Sequence, residues 1–172
     1  MSTEPKSKFI GFIDSDANAT NRRPNIKGEF ARAGGELYSF AIWGGAKKDG
    51  SGIYLKGKVE PKNVTAALTA KVAPTDDVEQ PAGLTLQMGE IVLFENDKGN
   101  NDKRPDFYGF SRTKDGINRH SAWGAAASTG SLMLRGSTEP YVKAANADAA
   151  PVLEPTEPTA KTKVKQALTA KR

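Results

Sequence analysis

Over roughly the first 140 residues, apolar and polar positions alternate in short runs of period two, the spacing of half-buried strands. "SKFIGFIDSD" reads as a strand that runs out into polar turn residues. In the loop "NATNRRP", Pro24 pushes the residue before it towards extended geometry. "NIKGEFARA" is a second strand, "GGE" a glycine turn, and "LYSFAIW" a third strand rich in aromatic and branched residues. The hairpin loop "GGAKKDGSG" leads into "IYLKGKVEP", a fourth strand closed by Pro61. The same order returns as "EIVLFEN", "DFYGFSR", "INRHSAW" and "LMLRGST". Such short, regularly spaced strands predict an antiparallel sheet or small barrel in each set of four. Between the sets lies "KNVTAALTAKVAPTDDVEQPAG", long enough to cross a surface; its "NVTAALTAKV" reads equally as one helix or one strand.

The two sets are copies of one unit. Asp16, Arg23, Pro24 and Gly28 match Asp97, Arg104, Pro105 and Gly109 at an offset of 81. Trp43-Gly44 matches Trp123-Gly124 at 80, and Leu55, Gly57 and Glu60-Pro61 match Leu134, Gly136 and Glu139-Pro140 at 79. Small turn deletions leave such a drift. The predicted architecture is all-β: two related antiparallel, OB-like modules, residues 8–61 and 88–143, packed as a pseudo-dimer about an approximate two-fold axis. Residues 62–87 link them. From 144 to 172 the chain is Ala, Pro, Thr and Lys without an aromatic residue, a composition too poor in apolar surface to offset chain entropy, so a disordered basic tail is expected.

Strand parity sorts the side chains into faces. In the third strand Leu37, Ala41 and Trp43 point one way, and Tyr38, Phe40 and Ile42 the other. Their counterparts are Ile117, Ser121 and Trp123, then Asn118, His120 and Ala122. The first set keeps its Leu/Ile and Trp in both copies and is the expected shared core. The second set is aromatic in one copy and polar in the other, which points to a surface. In the fourth strand Ile53, Leu55 and Val59 alternate with Tyr54, Lys56 and Lys58, as Leu132 and Leu134 alternate with Met133 and Arg135. Tyr108 and Phe110 stand on the opposite parity from Phe107.

Charge sharpens this picture. Residues 8–61 carry nine basic against six acidic side chains, and residues 88–140 carry seven of each. From Tyr141 onward there are six against three, so the excess of +5 lies in the first unit and the tail. Exposed rings among lysines and arginines suit single-stranded nucleic acid, whose bases stack while its phosphates are neutralised. The candidate binding set is Tyr38, Phe40, Tyr54, Lys56, Lys58, Tyr108, Phe110 and Arg135, with Arg23 and Arg104 reaching from the loops. The same rings would be hidden if the two units packed face to face. For the two arginines, ion pairs with Asp16 and Asp97 that brace the loops are the stronger expectation.

Other chemistries find little support. The chain has no cysteine, so there is neither a disulfide nor a thiolate site. The single histidine, His120, lacks a nucleophile pattern beside it, and "GGAKKDGSG" lacks the ending of a phosphate loop. The loop before each proline does not follow calcium-loop spacing. No catalysis, no metal and no cofactor are expected. "MSTEPKSK" does not resemble a signal peptide and no run is long enough to span a membrane as a helix, so a cytoplasmic protein is expected.

The second unit, "LFEND…RPDFYG…W…LRGSTEP", resembles a family of small proteins of bacteriophages and related mobile elements. Its members read Phe-x-Asn-Asp, Pro-Asp-Tyr-x-Gly, a strand ending in Trp, and a strand closed by Pro. Phe94, Asn96, Asp97, Pro105, Asp106, Gly109, Trp123 and Pro140 carry the likeness; Ile13, Ser15 and Asn25 depart from it in the first unit. The resemblance implies a phage origin, action in the bacterial host cytoplasm, and a fused version of a dimer. The expected function is non-catalytic binding of nucleic acid, single-stranded DNA first. The alternative is a protein-interaction module that inhibits a host nucleic-acid enzyme or defence protein. Association with a membrane is not expected; a homo-oligomer is compatible with the reading.

Overall fold

The computed structural model describes residues 7–17, 20–47, 49–50, 52–62 and 79–142. The tail and the linker stretch "NVTAALTAKV" therefore lie outside the described residues. Eight strands occur among the described residues: β1 Lys8–Ile13, β2 Ile26–Ala31, β3 Leu37–Ala46, β4 Ile53–Pro61, β5 Glu90–Glu95, β6 Phe107–Thr113, β7 Gly116–Ala126 and β8 Leu132–Pro140. Each pairs antiparallel with the next, and β8 closes on β1.

The all-β class and the duplicated strand order hold, but two separate modules do not form. β4 pairs with β5 from Tyr54↔Phe94 to Lys58↔Glu90, and β8 pairs with β1 from Phe9↔Gly136 to Phe12↔Met133. A four-stranded unit alone would leave two open edges and one uncovered apolar face. Joining the units edge to edge removes every open edge and gives both inner faces one shared interior.

Cross-strand registers place β1 to β4 onto β5 to β8 at offsets of 82, 81, 80 and 79, one residue fewer after each turn. β1 and β5 run in the same direction, so the pseudo-two-fold axis lies along the barrel. Loops 14–25, 47–52, 96–106 and 127–131 gather at one end. The turns after β2 and β6, the end of β4 and the start of β5 lie at the other, with the start of β1 and the end of β8.

An eight-stranded barrel is just wide enough for side chains to fill. Phe9, Ile26, Phe30, Tyr38, Phe40, Ile42, Ile53, Leu55, Val59, Ile91, Leu93, Phe107, Ala122 and Leu134 form this core. At its waist stand Gly28, Gly57, Gly109 and Gly136. A Cβ on any of them would come within about 2 Å of a neighbouring strand's carbonyl oxygen, such as that of Ser121 for Gly136 (1.8 Å). These glycines let the strands coil tightly enough to close.

The face assignment of the third strand is overturned. Tyr38, Phe40 and Ile42 point inward and are buried, whereas Trp43 points outward and is 38% exposed. The reason lies in the closure. Paired positions of the two halves share one interior, so they need complementary rather than equal volumes. Phe30, Tyr38, Phe40 and Val59 of one half face Ser111, Asn118, His120 and Thr138 of the other, and Gly11 corresponds to Leu93. Four bulky side chains from each half would overfill the space.

The polar members are satisfied. His120 bonds Thr138 Oγ1 (2.9 Å) through Nδ1 and Ser111 Oγ (2.8 Å) through Nε2. Asn118 Nδ2 donates to Ser111 and Thr113, and its Oδ1 accepts from Arg32 at the barrel mouth. Burial and the adjacent Asp115 carboxylate raise the Tyr38 hydroxyl above its usual range, and that hydroxyl donates to Asp115 at 2.6 Å.

A second apolar cluster lies outside the barrel. Leu84 and Leu86 cover Val92, Ile117 and Phe110, with Tyr141 at the edge. Gln80 clamps Leu86 through its backbone N–H and C=O, and Arg112 Nη1 donates to the same carbonyl at 3.1 Å. Charged Lys8, Lys27, Glu29, Lys56 and Lys58 alternate on the outside with apolar residues within. Among the described residues no helix is long and apolar enough to cross a membrane.

Candidate functional site

Because the interior is filled, ligand chemistry has to be sought on the outer wall. There Tyr54, Phe94 and Tyr108 stand directly opposite one another on β4, β5 and β6. Tyr54 is 39% exposed and Tyr108 38%, while Phe94 lies half-buried between them with its ring centroid 5.6 Å from that of Tyr108. The Tyr54 ring lies across Gly45, where a Cβ would meet it at 3.2 Å. Two residues back on the same face of β3 is Trp43. The four rings thus make one outward row at the loop end of the barrel.

Local sequence fixes this end. Asn25 Oδ1 accepts the Gly44 N–H (2.7 Å), and Asp106 Oδ2 accepts the Gly124 N–H (2.8 Å) at the equivalent position. The Pro-Asn and Pro-Asp pairs therefore pin each loop to the strand after its Trp. Trp43 Nε1 donates to the Arg22 carbonyl (3.0 Å), which brings the Arg22-Arg23 loop beside the row.

The two loops close differently. Lys98 Nζ lies 2.6 Å from Asp106 Oδ1, and both side chains are nearly buried. In the first half the matching positions are Ala17 and Asn25. Trp123 is correspondingly 2% exposed, against 38% for Trp43. The expected braces are not made: among the described residues neither Arg23 nor Arg104 forms an ion pair. Asn21 and Asn101 instead shape the loops by accepting the N–H groups of Arg23 and Lys103.

Of the sequence-derived candidates, Tyr54, Lys56, Lys58 and Tyr108 share this outer region and are exposed. Arg23 and Arg104 are exposed on loops at the same end of the barrel. Tyr38 and Phe40 are inside the barrel, corrected for the reason of complementary filling given above. Phe110 faces outward but lies half-buried edge-on to Tyr141, with centroids 5.4 Å apart. Arg135 is exposed on β8, opposite Trp123 and four strands away from β4. Lys56 is engaged by Glu90, whose carboxylate holds the ammonium pKa above its usual value.

Sequence reasoning missed Trp43, Phe94 and Lys27. Trp43 repeats in both halves and therefore resembled core. Phe94 sits in the run "IVLF", where the outer face is apolar too and alternation fades. Lys27 stands alone in its strand, and only the register reveals its neighbours.

No family model, curated protein or solved structure matches the chain.

Proposed function

We propose that the outer wall of this barrel binds single-stranded nucleic acid, DNA in the first instance, without catalysis. The observation that carries the reading is the in-register outward row Tyr54–Phe94–Tyr108, continued by Trp43 and bordered by Lys56 and Lys58. Every base has a π-face, so such a row favours unpaired strands with little sequence preference. A duplex hides those faces. The enclosed His120, with both ring nitrogens bonded, offers no accessible base, which supports a binding role over an enzymatic one. As a bacteriophage-type protein in the host cytoplasm, it would meet single strands wherever phage DNA is copied or unwound.

Fluorescence anisotropy with a labelled oligonucleotide, single-stranded and as a duplex at two salt concentrations, tests the proposal. Tight, salt-weakened binding of the single strand with much weaker binding of the duplex is expected. Absence of binding to either at low salt would overturn it and favour the alternative, a surface for a host protein.

A further inference from the structure

At the Trp43 end of the aromatic row, one patch of the wall has an arrangement that its pseudo-symmetric counterpart lacks. Lys27, Ala41 and Lys58 stand directly opposite one another on β2, β3 and β4. With strands about 4.8 Å apart, the two lysine Cα atoms lie about 10 Å from each other. Between them Ala41 leaves a shallow saddle. Among the described residues neither lysine forms an ion pair, while the nearby Glu90 is taken by Lys56. Trp43 stands two residues along β3 from Ala41, on the same face.

Beside this saddle a cleft of about 510 Å³ runs along β4 from Trp43 past Lys58 to Met88 and Gly89, with Glu60 at its foot. That volume is within the range of small-ligand sites. The equivalent positions in the second half are Tyr108, Ser121 and Ser137, beside the buried Trp123. The second half has neither the lysine pair nor an open indole. This matches the charge excess of the first unit over the second.

Resting on the nucleic-acid reading, we infer that this patch is a single nucleotide subsite, one per chain. A base stacks on the Trp43 indole, and its phosphate is held over Ala41 between Lys27 and Lys58. An unpaired lysine pair set about 10 Å apart suits an anion that both ammonium groups can reach, and the adjacent open indole selects anions that carry a flat ring.

The chain has only two tryptophans, Trp43 and the buried Trp123, so intrinsic fluorescence reports on this site. Titration with an unlabelled oligothymidylate of about eight residues should quench the emission and saturate at one oligonucleotide per chain. Trp43→Ala should abolish the quenching and weaken binding about tenfold, as loss of a stacking ring does. Lys27→Gln combined with Lys58→Gln should reduce the salt slope by about 1.4, two single-strand phosphate contacts. These three side chains lie on the outer wall, and thermal melts of the variants confirm folding. If wild type binds the oligonucleotide but both variants bind equally well with an unchanged slope, the subsite is refuted while the binding function stands. If wild type does not bind at all, the function and the subsite fall together.

Discussion

Phe30 and His120 meet inside the barrel with ring centroids 4.6 Å apart and planes inclined at 63°, an edge-on contact between the two halves of the chain. Burial, and secondarily the Arg32 guanidinium, pushes His120 down from 6.5 to about 3. As pH falls below about 6.5, the unfolded chain gains a proton on this ring that the folded chain refuses. Stability contributed by the neutral ring is complete above that pH and is lost at about 1.4 kcal/mol per pH unit on the way towards about 3. Urea unfolding between about pH 7 and about pH 5 should show this slope in wild type. His120→Gln, folded at neutral pH, should show a shallower one. Equal slopes would show that the imidazole is not held neutral.

The two tryptophans should respond unequally to truncation. Trp123→Ala empties a nearly buried site and should cost about 3–5 kcal/mol. Trp43→Ala removes a ring that is 38% exposed and should cost about 1 kcal/mol, mostly its bond to the Arg22 carbonyl. Denaturant melts of the two variants make the comparison, and equal losses would contradict it.

The buried Lys98–Asp106 pair replaces Ala17 and Asn25 of the first half. Asp106→Asn alone strands the ammonium and should cost about 3 kcal/mol or more. The pair Lys98→Ala with Asp106→Asn rebuilds the first-half arrangement, keeps an acceptor for the Gly124 N–H, and should restore most of that loss. A double-mutant cycle in urea reads the coupling; additive losses would show that the pair is not the closing contact of this loop.

A Cβ at Gly136 would lie 1.8 Å from the Ser121 carbonyl oxygen, so the backbone has to move to admit it. Gly136→Ala should therefore destabilise the barrel by about 1–3 kcal/mol, the cost of forced overpacking. A melting temperature equal to that of wild type would mean that the strands can relax at this waist.

Much of this molecule was legible in the sequence. The strand order, the duplication and the alternation of Ile53, Leu55 and Val59 with Tyr54, Lys56 and Lys58 followed from period two. The closure did not, because nothing local distinguishes an edge that pairs with its own copy from one that stays open. That single ambiguity reversed the faces of the third strand. Tyr38 and Phe40 looked unlike core because Asn118 and His120 occupy the same places in the other copy. In a shared interior that difference is what lets both fit. Trp43 and Lys27 became site residues only once the registers set them beside Lys58.

The most direct test of the account is a two-dimensional amide NMR titration with unlabelled oligothymidylate, read residue by residue. Shifts should concentrate at Trp43, Tyr54, Phe94, Tyr108 and their neighbours on β2 to β6, with the Trp43 indole signal moving and that of Trp123 still. Shifts confined to the opposite mouth of the barrel, around Arg32 and Asp115, or no shifts at saturating oligonucleotide, would contradict it.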